Sequence, residues 1–199
     1  NGTDLLFDYI QRFRELVQGI RPQHVLVLGG GAFTLPTALV QEFPKMRVDV
    51  VELDGELIGI ARDYFDFKPN EYTGIHIGDA RQFLDDITNT YDVIVLDVFE
   101  HAAIPASFQT TSCMQSLRKC LNKDGVVAVN VIASLNGRRS AVLYRMQELL
   151  RSSFQNVDVF PSSQGQTPWA LQNFIMTAQN GTRDMAAHLR YPPIDASKY

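Results

Sequence analysis

Two kinds of apolar pattern alternate along the chain. Val25 to Leu28, Tyr91 to Leu96 and Val126 to Ile132 are short, nearly unbroken apolar runs of the kind that parallel strands buried on both faces require. Val48 to Leu53, Ile75 to Ile77 and Val157 to Phe160 read as further strands, and a last one falls within Trp169 to Ala178. Between them apolar residues recur at helical spacing. Thr3 to Gly19 carries Leu5, Leu6, Tyr9, Ile10, Phe13, Leu16 and Val17 on one face, with Asp4 in the first turn and Gly19 as terminator. Helices are also predicted over Gly55 to Phe65, behind Asp79 with Phe83 and Leu84 inward, over Ser107 to Leu121, and over Asn136 to Ser153. Asn122 to Gly125 reads as a turn, Pro161 to Pro168 as a polar loop, and the chain after Asn180 as a polar surface tail. Such alternation predicts an α/β fold, a mostly parallel sheet with helices on both faces, as a single domain over residues 1–199.

The densest chemistry lies between His24 and Asp54. Gly29, Gly30 and Gly31 follow strand one directly, and Thr34 is placed to cap the next helix, with Pro36 in its first turn. Glycines here let a ligand lie against the backbone. Glu52 closes strand two about 20 residues later, where an acid can accept hydrogen bonds from both hydroxyls of a ribose. A nucleoside site is therefore expected. The dinucleotide pattern needs a third glycine where this chain has Thr34. An S-adenosylmethionine-type donor needs only the first turn, since it has no pyrophosphate. Asp79 stands just past strand three, as a helix cap, as an acceptor for an adenine amino group, or as both. Asp97 follows strand four. Gly29, Glu52, Asp79 and Asp97 thus fall at the carboxyl ends of four strands, the rim where open α/β sheets bind ligands.

Composition narrows the class without adding chemistry. The 199 residues are 45% hydrophobic and 20% charged, as in ordinary globular proteins. A net charge of −4 offers no basic footprint for nucleic acid. No apolar run approaches a membrane span and no leader pattern opens the sequence, so neither membrane nor export is expected. Cys113 and Cys120 read as buried thiols of a reducing, cytoplasmic compartment, not as a disulfide or a metal site.

Four segments, L-G-G-G, V-E-L-D, G-D-A-R-Q-F-L and Y-D-V-I-V-L-D, together resemble the spermidine synthase family of aminopropyltransferases. The likeness runs from about Pro22 to Ala178. It implies a Rossmann-like class I methyltransferase fold with seven strands, the last antiparallel and inserted beside strand five. It implies that Gly29, Gly30 and Gly31 hold the methionine-derived segment of the donor, Glu52 the ribose, and Asp79 with Ala80 the adenine. It assigns Asp97 as catalytic base and Glu100 as a second acid. The implied donor is decarboxylated S-adenosylmethionine or S-adenosylmethionine, without a metal, and the acceptor a small amine. The resemblance also implies a homodimer, with the N-terminal helix as a candidate surface.

The departures from the family fall on the amine half of the site. The family turn continues with an aspartate where this chain has Ala32, then Phe33. An acid there meets the aminopropyl end of the decarboxylated donor and repels the carboxylate of the intact one, so Ala32 favours the intact donor. Asp4 to Gln11 shows no clear match to the family's tyrosine-and-histidine element, and Ser162 to Gly165 stands where Y-P-[ST]-G is expected. These 199 residues are not expected to form the N-terminal β-hairpin domain common in the family. Three readings follow: aminopropyl transfer to an amine, methyl transfer to a small molecule, or a nucleoside-binding or dimerisation domain without catalysis. His101 is a further base candidate, more simply read as solvated. Phe99, Phe108 and Trp169 are pocket or packing residues, and Arg138 with Arg139 an anion contact or a solvated pair.

Overall fold

The structure is a computed structural model that describes residues 7–101, 103–189 and 192–195. Seven strands form one sheet: β1 (His24–Leu28), β2 (Arg47–Glu52), β3 (Thr73–Ile77), β4 (Tyr91–Leu96), β5 (Leu121–Ala133), β6 (Asn156–Pro161) and β7 (Gln172–Gln179). Their order is β3-β2-β1-β4-β5-β7-β6. β7 runs antiparallel to both β5 and β6, and the other pairings are parallel. This is the class I methyltransferase arrangement that the motifs implied. The helices are α1 (Asp8–Ile20), α2 (Thr34–Glu42), α3 (Glu56–Tyr64), α4 (Ala80–Asp86), α5 (Thr111–Lys119), α6 (Ala141–Arg151) and α7 (Met185–His188).

The unbroken apolar runs are explained by two cores, one on each face of the sheet. Leu26, Leu28, Ile94, Leu96, Val127 and Val129 point to one face, against Leu84 of α4, Met114 and Leu117 of α5, and Leu143 and Met146 of α6. Val25, Val27, Val93, Val95, Val126 and Ala128 point to the other, against Phe13 and Leu16 of α1, Leu35 and Leu39 of α2, and Ala61 of α3. Each full burial of such a side chain contributes about 1.5–3 kcal/mol, so a central strand covered on both sides gains roughly twice what a one-sided strand gains. No described helix is long and apolar enough to cross a membrane.

Several local expectations are corrected. Thr34 opens α2 instead of capping it; the cap position is Phe33, in the left-handed region at φ 55°, with its ring buried against Phe67. Packing of that ring replaces the side-chain cap. Asn122 to Gly125 is an irregularity inside β5, where the register with β4 shifts between Tyr91 and Val93. The helix predicted from Ser107 divides into a 3-10 turn, Ala106–Phe108, and α5, which Thr110 caps through its hydroxyl. The one predicted from Asn136 likewise starts as a 3-10 turn at Arg138–Ser140. The chain after Asn180 is not all surface: α7 buries Met185, and Leu189 follows it into the α1 side of the core. Asp4, Leu5 and Leu6, assigned to the first helix, lie outside the described residues.

The opposite rim of the sheet, away from the glycine turn, is tied by one carboxylate. Asp49 of β2 accepts from His24 Nε2 of β1 at 3.0 Å and from the Tyr91 hydroxyl of β4 at 3.0 Å, and His76 Nε2 of β3 lies 3.8 Å away. Burial pushes the Asp49 carboxyl up, but the His24 and Tyr91 hydrogen bonds and the nearby His24 and His76 charges outweigh it and hold it below the ordinary range. A carboxylate depressed in the folded state stabilises above its unfolded pKa, and the contribution disappears as pH falls through the folded value. Asp49→Asn is therefore expected to cost about 1–3 kcal/mol at neutral pH and progressively less toward pH 3. Denaturant unfolding across that range reads both features.

Candidate functional site

The glycine turn exists because two strand ends approach closely. Gly29 has φ +90°, and a Cβ built there would lie 2.4 Å from the carbonyl oxygen of Asp97. Backbone bonds extend the ladder past the strands: Gly29 N–H donates to Val51, Asp97 N–H to Leu28, and Gly78 N–H to Glu52, each at 2.9 Å. The strand order then sets Asp79, Glu52, the glycine turn and Asp97 side by side along one rim. The four residues expected at this rim are all there.

Glu52 is buried, and its carboxylate serves the turn itself. Oε2 accepts from Gly30 N–H at 2.8 Å and Gly31 N–H at 2.9 Å, and Oε1 from Asp54 N–H at 3.0 Å. A carboxylate offers about four acceptor positions, so the turn occupies three and leaves one on Oε1. That differs from the expectation of an acid free to take both ribose hydroxyls: one strong donor fits without disturbing the turn. Asp79 is the N-cap of α4, its Oδ1 accepting from Arg81 N–H at 2.7 Å and Gln82 N–H at 3.0 Å. The cap uses Oδ1 alone and leaves Oδ2 open toward solvent, so the capping and adenine roles are compatible. Ala80, the first residue of α4, is half-buried beside it.

Asp97 is held from two sides. Asn130 of β5 donates through Nδ2 to Asp97 Oδ1 at 2.8 Å, and Asn173 of β7 donates to Asn130 Oδ1 at 2.9 Å. The Tyr9 hydroxyl of α1 also hydrogen-bonds Asp97. Burial pushes the Asp97 carboxyl up to about 6, against the pull of the Asn130 and Tyr9 hydrogen bonds. Burial and the adjacent Asp97 carboxylate in turn raise the Tyr9 phenol above its ordinary value. The arrangement can hold an ionised carboxylate at neutral pH that is more basic than an exposed one, which suits it to take a proton.

Asn130, Asn173 and Tyr9 are the functional candidates the sequence reading missed. Asn130 had a signal: it is the one polar residue in the run Val126 to Ile132, and a buried polar side chain needs a partner. Tyr9 lies in Asp4 to Gln11, where the resemblance implied a tyrosine-and-histidine element, but the sequence reading places it only in the apolar stripe of α1. Among the described residues, none of the other candidates is hydrogen-bonded to Asp97. Glu100 is exposed, its backbone bridging Ala103. His101 is exposed in the left-handed region at φ 50°. Phe108 is buried in the core, and Phe99 packs against it. Trp169 lies outside β7 and is exposed, as are Arg138 and Arg139. Burial pushes the Cys113 thiol up to about 11, consistent with an inert core cysteine. Among the described residues, no group of three or more His, Cys, Asp or Glu side chains is arranged to hold a metal ion.

Comparison with known proteins bears on this geometry. A family model described as a spermine/spermidine synthase domain matches residues 13–187. The polyamine aminopropyltransferase of Vibrio vulnificus is 32% identical over 117 residues, covering 57% of this chain and 39% of that protein. The chain thus spans well under half the length of that relative. Among solved structures, a probable spermidine synthase from Corynebacterium glutamicum superposes with a TM-score of 0.78 at 24% identity, covering 92% of this chain and 67% of that one. Human methyltransferase-like protein 13 in complex with SAH gives 0.73 at 20% identity, covering 94% of each chain. At these identities the two structures establish the shared fold.

Proposed function

The chain belongs to the spermine/spermidine synthase family, and from that premise we propose that it is a transferase that moves an aminopropyl group from an S-adenosyl nucleoside to a small amine. The observation that carries the reading is Asp97, a carboxylate raised to about 6 and oriented by Asn130 and Tyr9 at the rim it shares with the glycine turn and Glu52. An alkyl amine is protonated at neutral pH, with a pKa of about 10, and an ammonium has no lone pair with which to attack. Asp97 accepts that proton. The freed nitrogen attacks the carbon next to the sulfonium, the N–C bond forms as the C–S bond breaks, and the bonding pair returns to sulfur as a neutral thioether. With the decarboxylated donor the leaving group is methylthioadenosine. In this reading Glu52 takes a ribose hydroxyl on its remaining Oε1 position, Asp79 takes the adenine amino group on Oδ2, and Glu100 assists from the exposed side. A homodimer and a cytoplasmic location belong to the same proposal.

A second reading is favoured by one residue. Ala32 sits exposed at the tip of the turn and presents no carboxylate to the donor's amino-acid end. That suits intact S-adenosylmethionine, and then a methyl group moves by the same displacement. The structural neighbour holding SAH supports this alternative. Calorimetric titration with methylthioadenosine, S-adenosylmethionine and its decarboxylated form separates the cases. Aminopropyl transfer predicts that the decarboxylated donor binds at least about tenfold more tightly than the intact one, a gap of about 1.4 kcal/mol. Equal or reversed affinities favour methyl transfer, and binding of none of the three refutes the nucleoside site itself.

A further inference from the structure

Asp97, Asn130 and Asn173 form a row across three neighbouring strands. Asp97 follows Leu96 of β4, which pairs with Val129 of β5, so the register brings Asp97 beside Asn130. Asn173 of β7 pairs with Ile132, two residues past Asn130, and diagonal neighbours on one face of a sheet are within side-chain reach. Alternation puts Asn130 on the face of Val126 and Ala128, the face that α1 covers. Asn130 is only 1% exposed, and Asn173 is half-buried.

The row has a direction. Asn173 Nδ2 donates to Asn130 Oδ1 at 2.9 Å, and Asn130 Nδ2 donates to Asp97 Oδ1 at 2.8 Å. The two ends of an amide are nearly the same size, so packing alone does not choose which end meets Asp97. The electrostatic difference is large. The NH₂ end gives the carboxylate a charge-assisted hydrogen bond. The oxygen end sets acceptor against acceptor, and only a protonated Asp97 satisfies it. A donor on Asn130 Oδ1 fixes the first arrangement, and Asn173 is that donor. The other groups around Asp97 do not set the Asn130 amide. Tyr9 of α1 binds the carboxylate directly, and its phenol, raised by burial and by Asp97, stays protonated at neutral pH. Glu52, beyond the glycine turn, is engaged by Gly30, Gly31 and Asp54, and Glu100 is exposed.

We infer that Asn173 is a positioning residue for Asp97: by fixing the amide orientation of Asn130 it keeps a donor, not an acceptor, against the carboxylate, and so keeps that carboxylate available to take a proton. Its effect passes through Asn130. The inference rests on the transferase reading for the use made of that proton, while the ionisation of Asp97 is measurable without turnover. Asn173→Asp is the informative reversal. A carboxylate there can only accept, so it takes the Asn130 Nδ2 hydrogens and turns Asn130 Oδ1 toward Asp97.

The test titrates the isotope-labelled Asp97 carboxyl carbon by NMR from about pH 4 to about pH 9, with the signal identified by its loss in Asp97→Asn, and records kcat/KM over the same range. The wild-type midpoint is expected at about 6. Asn130→Leu removes the donor and is expected to raise the midpoint by about one pH unit. Asn173→Leu is expected to raise it by about half a unit, and Asn173→Asp by about one. Because Asn173→Asp also adds a charge, both Asn173 substitutions are repeated in the Asn130→Leu background. There Asn173→Leu is expected to add nothing, and Asn173→Asp to keep less than half of its effect. The kcat/KM limb should move with the carboxyl midpoint in each variant. A purely structural role would lower the melting temperature and leave the midpoint in place. An unmoved midpoint in both Asn173 variants, or equal shifts with and without Asn130, overturns the assignment. If Asn130→Leu melts early, Asn173→Leu decides alone: it adds no charge, and an unmoved midpoint refutes the role. Failure of the transferase reading looks different: the midpoints move as expected, and no amine is converted with either donor.

Discussion

Asp97→Asn will lower turnover by a factor of about 10²–10⁴, the range that a positioned general base supplies, while the affinity for methylthioadenosine stays within about twofold. The substitution is close to isosteric. Its amide oxygen can still accept from Asn130, and its amide nitrogen can donate to the Tyr9 hydroxyl, which serves equally as an acceptor. What is lost is the capacity to take a proton. The wild type should show kcat/KM rising with pH through about 6, as the Asp97 carboxyl ionises, and the variant should lack that limb. Stability moves the other way. A carboxyl raised by burial binds its proton more tightly folded than unfolded, so the native state loses stability as pH climbs from about 4 to about 6. Removing that buried charge should stabilise the variant at neutral pH, on the order of 2 kcal/mol, with the difference vanishing below about pH 4. Lower activity with higher stability is the signature of a charge kept for chemistry. If Asp97→Asn instead retains turnover, the carboxylate is a loop-fixing group and the base lies elsewhere.

The strands were legible in the sequence because each central one is buried on both faces and must be apolar throughout. That is why Val25 to Leu28 and Tyr91 to Leu96 needed no context. The rim residues were legible for a related reason: a polar residue directly after such a run has to stand at the strand's end, and Gly29, Glu52, Asp79 and Asp97 do. What could not be read were meetings between residues distant in sequence. Tyr9 meets Asp97 because α1 packs over the sheet, yet in sequence it is one more large residue on an apolar helix face. The Asp49 cluster gathers His24, His76 and Tyr91 from three other strands, and only the register brings them together. The helix starts were misjudged where packing replaced hydrogen-bonded capping, as at Phe33. The tail was read as surface from its polar average, which hid the two apolar residues, Met185 and Leu189, that the α1 side of the core covers.

Glu52→Gln tests the other half of the site, and its effect is expected to be double because one carboxylate does two jobs. The glycine turn uses Glu52 as an acceptor for three backbone N–H groups, of Gly30, Gly31 and Asp54. A glutamine has one acceptor oxygen. If that oxygen faces Gly30 and Gly31, the amide nitrogen meets Asp54 N–H, donor against donor. If it is turned around, two glycine N–H groups lose their partner. Either orientation strands a donor in a buried position, at about 1–3 kcal/mol, so the variant should unfold at lower denaturant with little change in slope. In the first orientation the acceptor position on Oε1 that would receive a ribose hydroxyl is lost as well, and in the second it survives without its negative charge. A charge-assisted hydrogen bond contributes about 1.5–3 kcal/mol, so methylthioadenosine affinity should fall by about 10- to 100-fold. The two losses are separable. Methylthioadenosine at concentrations far above its Kd should raise the melting temperature of the wild type, and it should raise that of Glu52→Gln much less at the same concentration. A variant that is less stable but binds methylthioadenosine as tightly as the wild type would leave Glu52 as the clasp of the turn and move ribose recognition to another group on the rim.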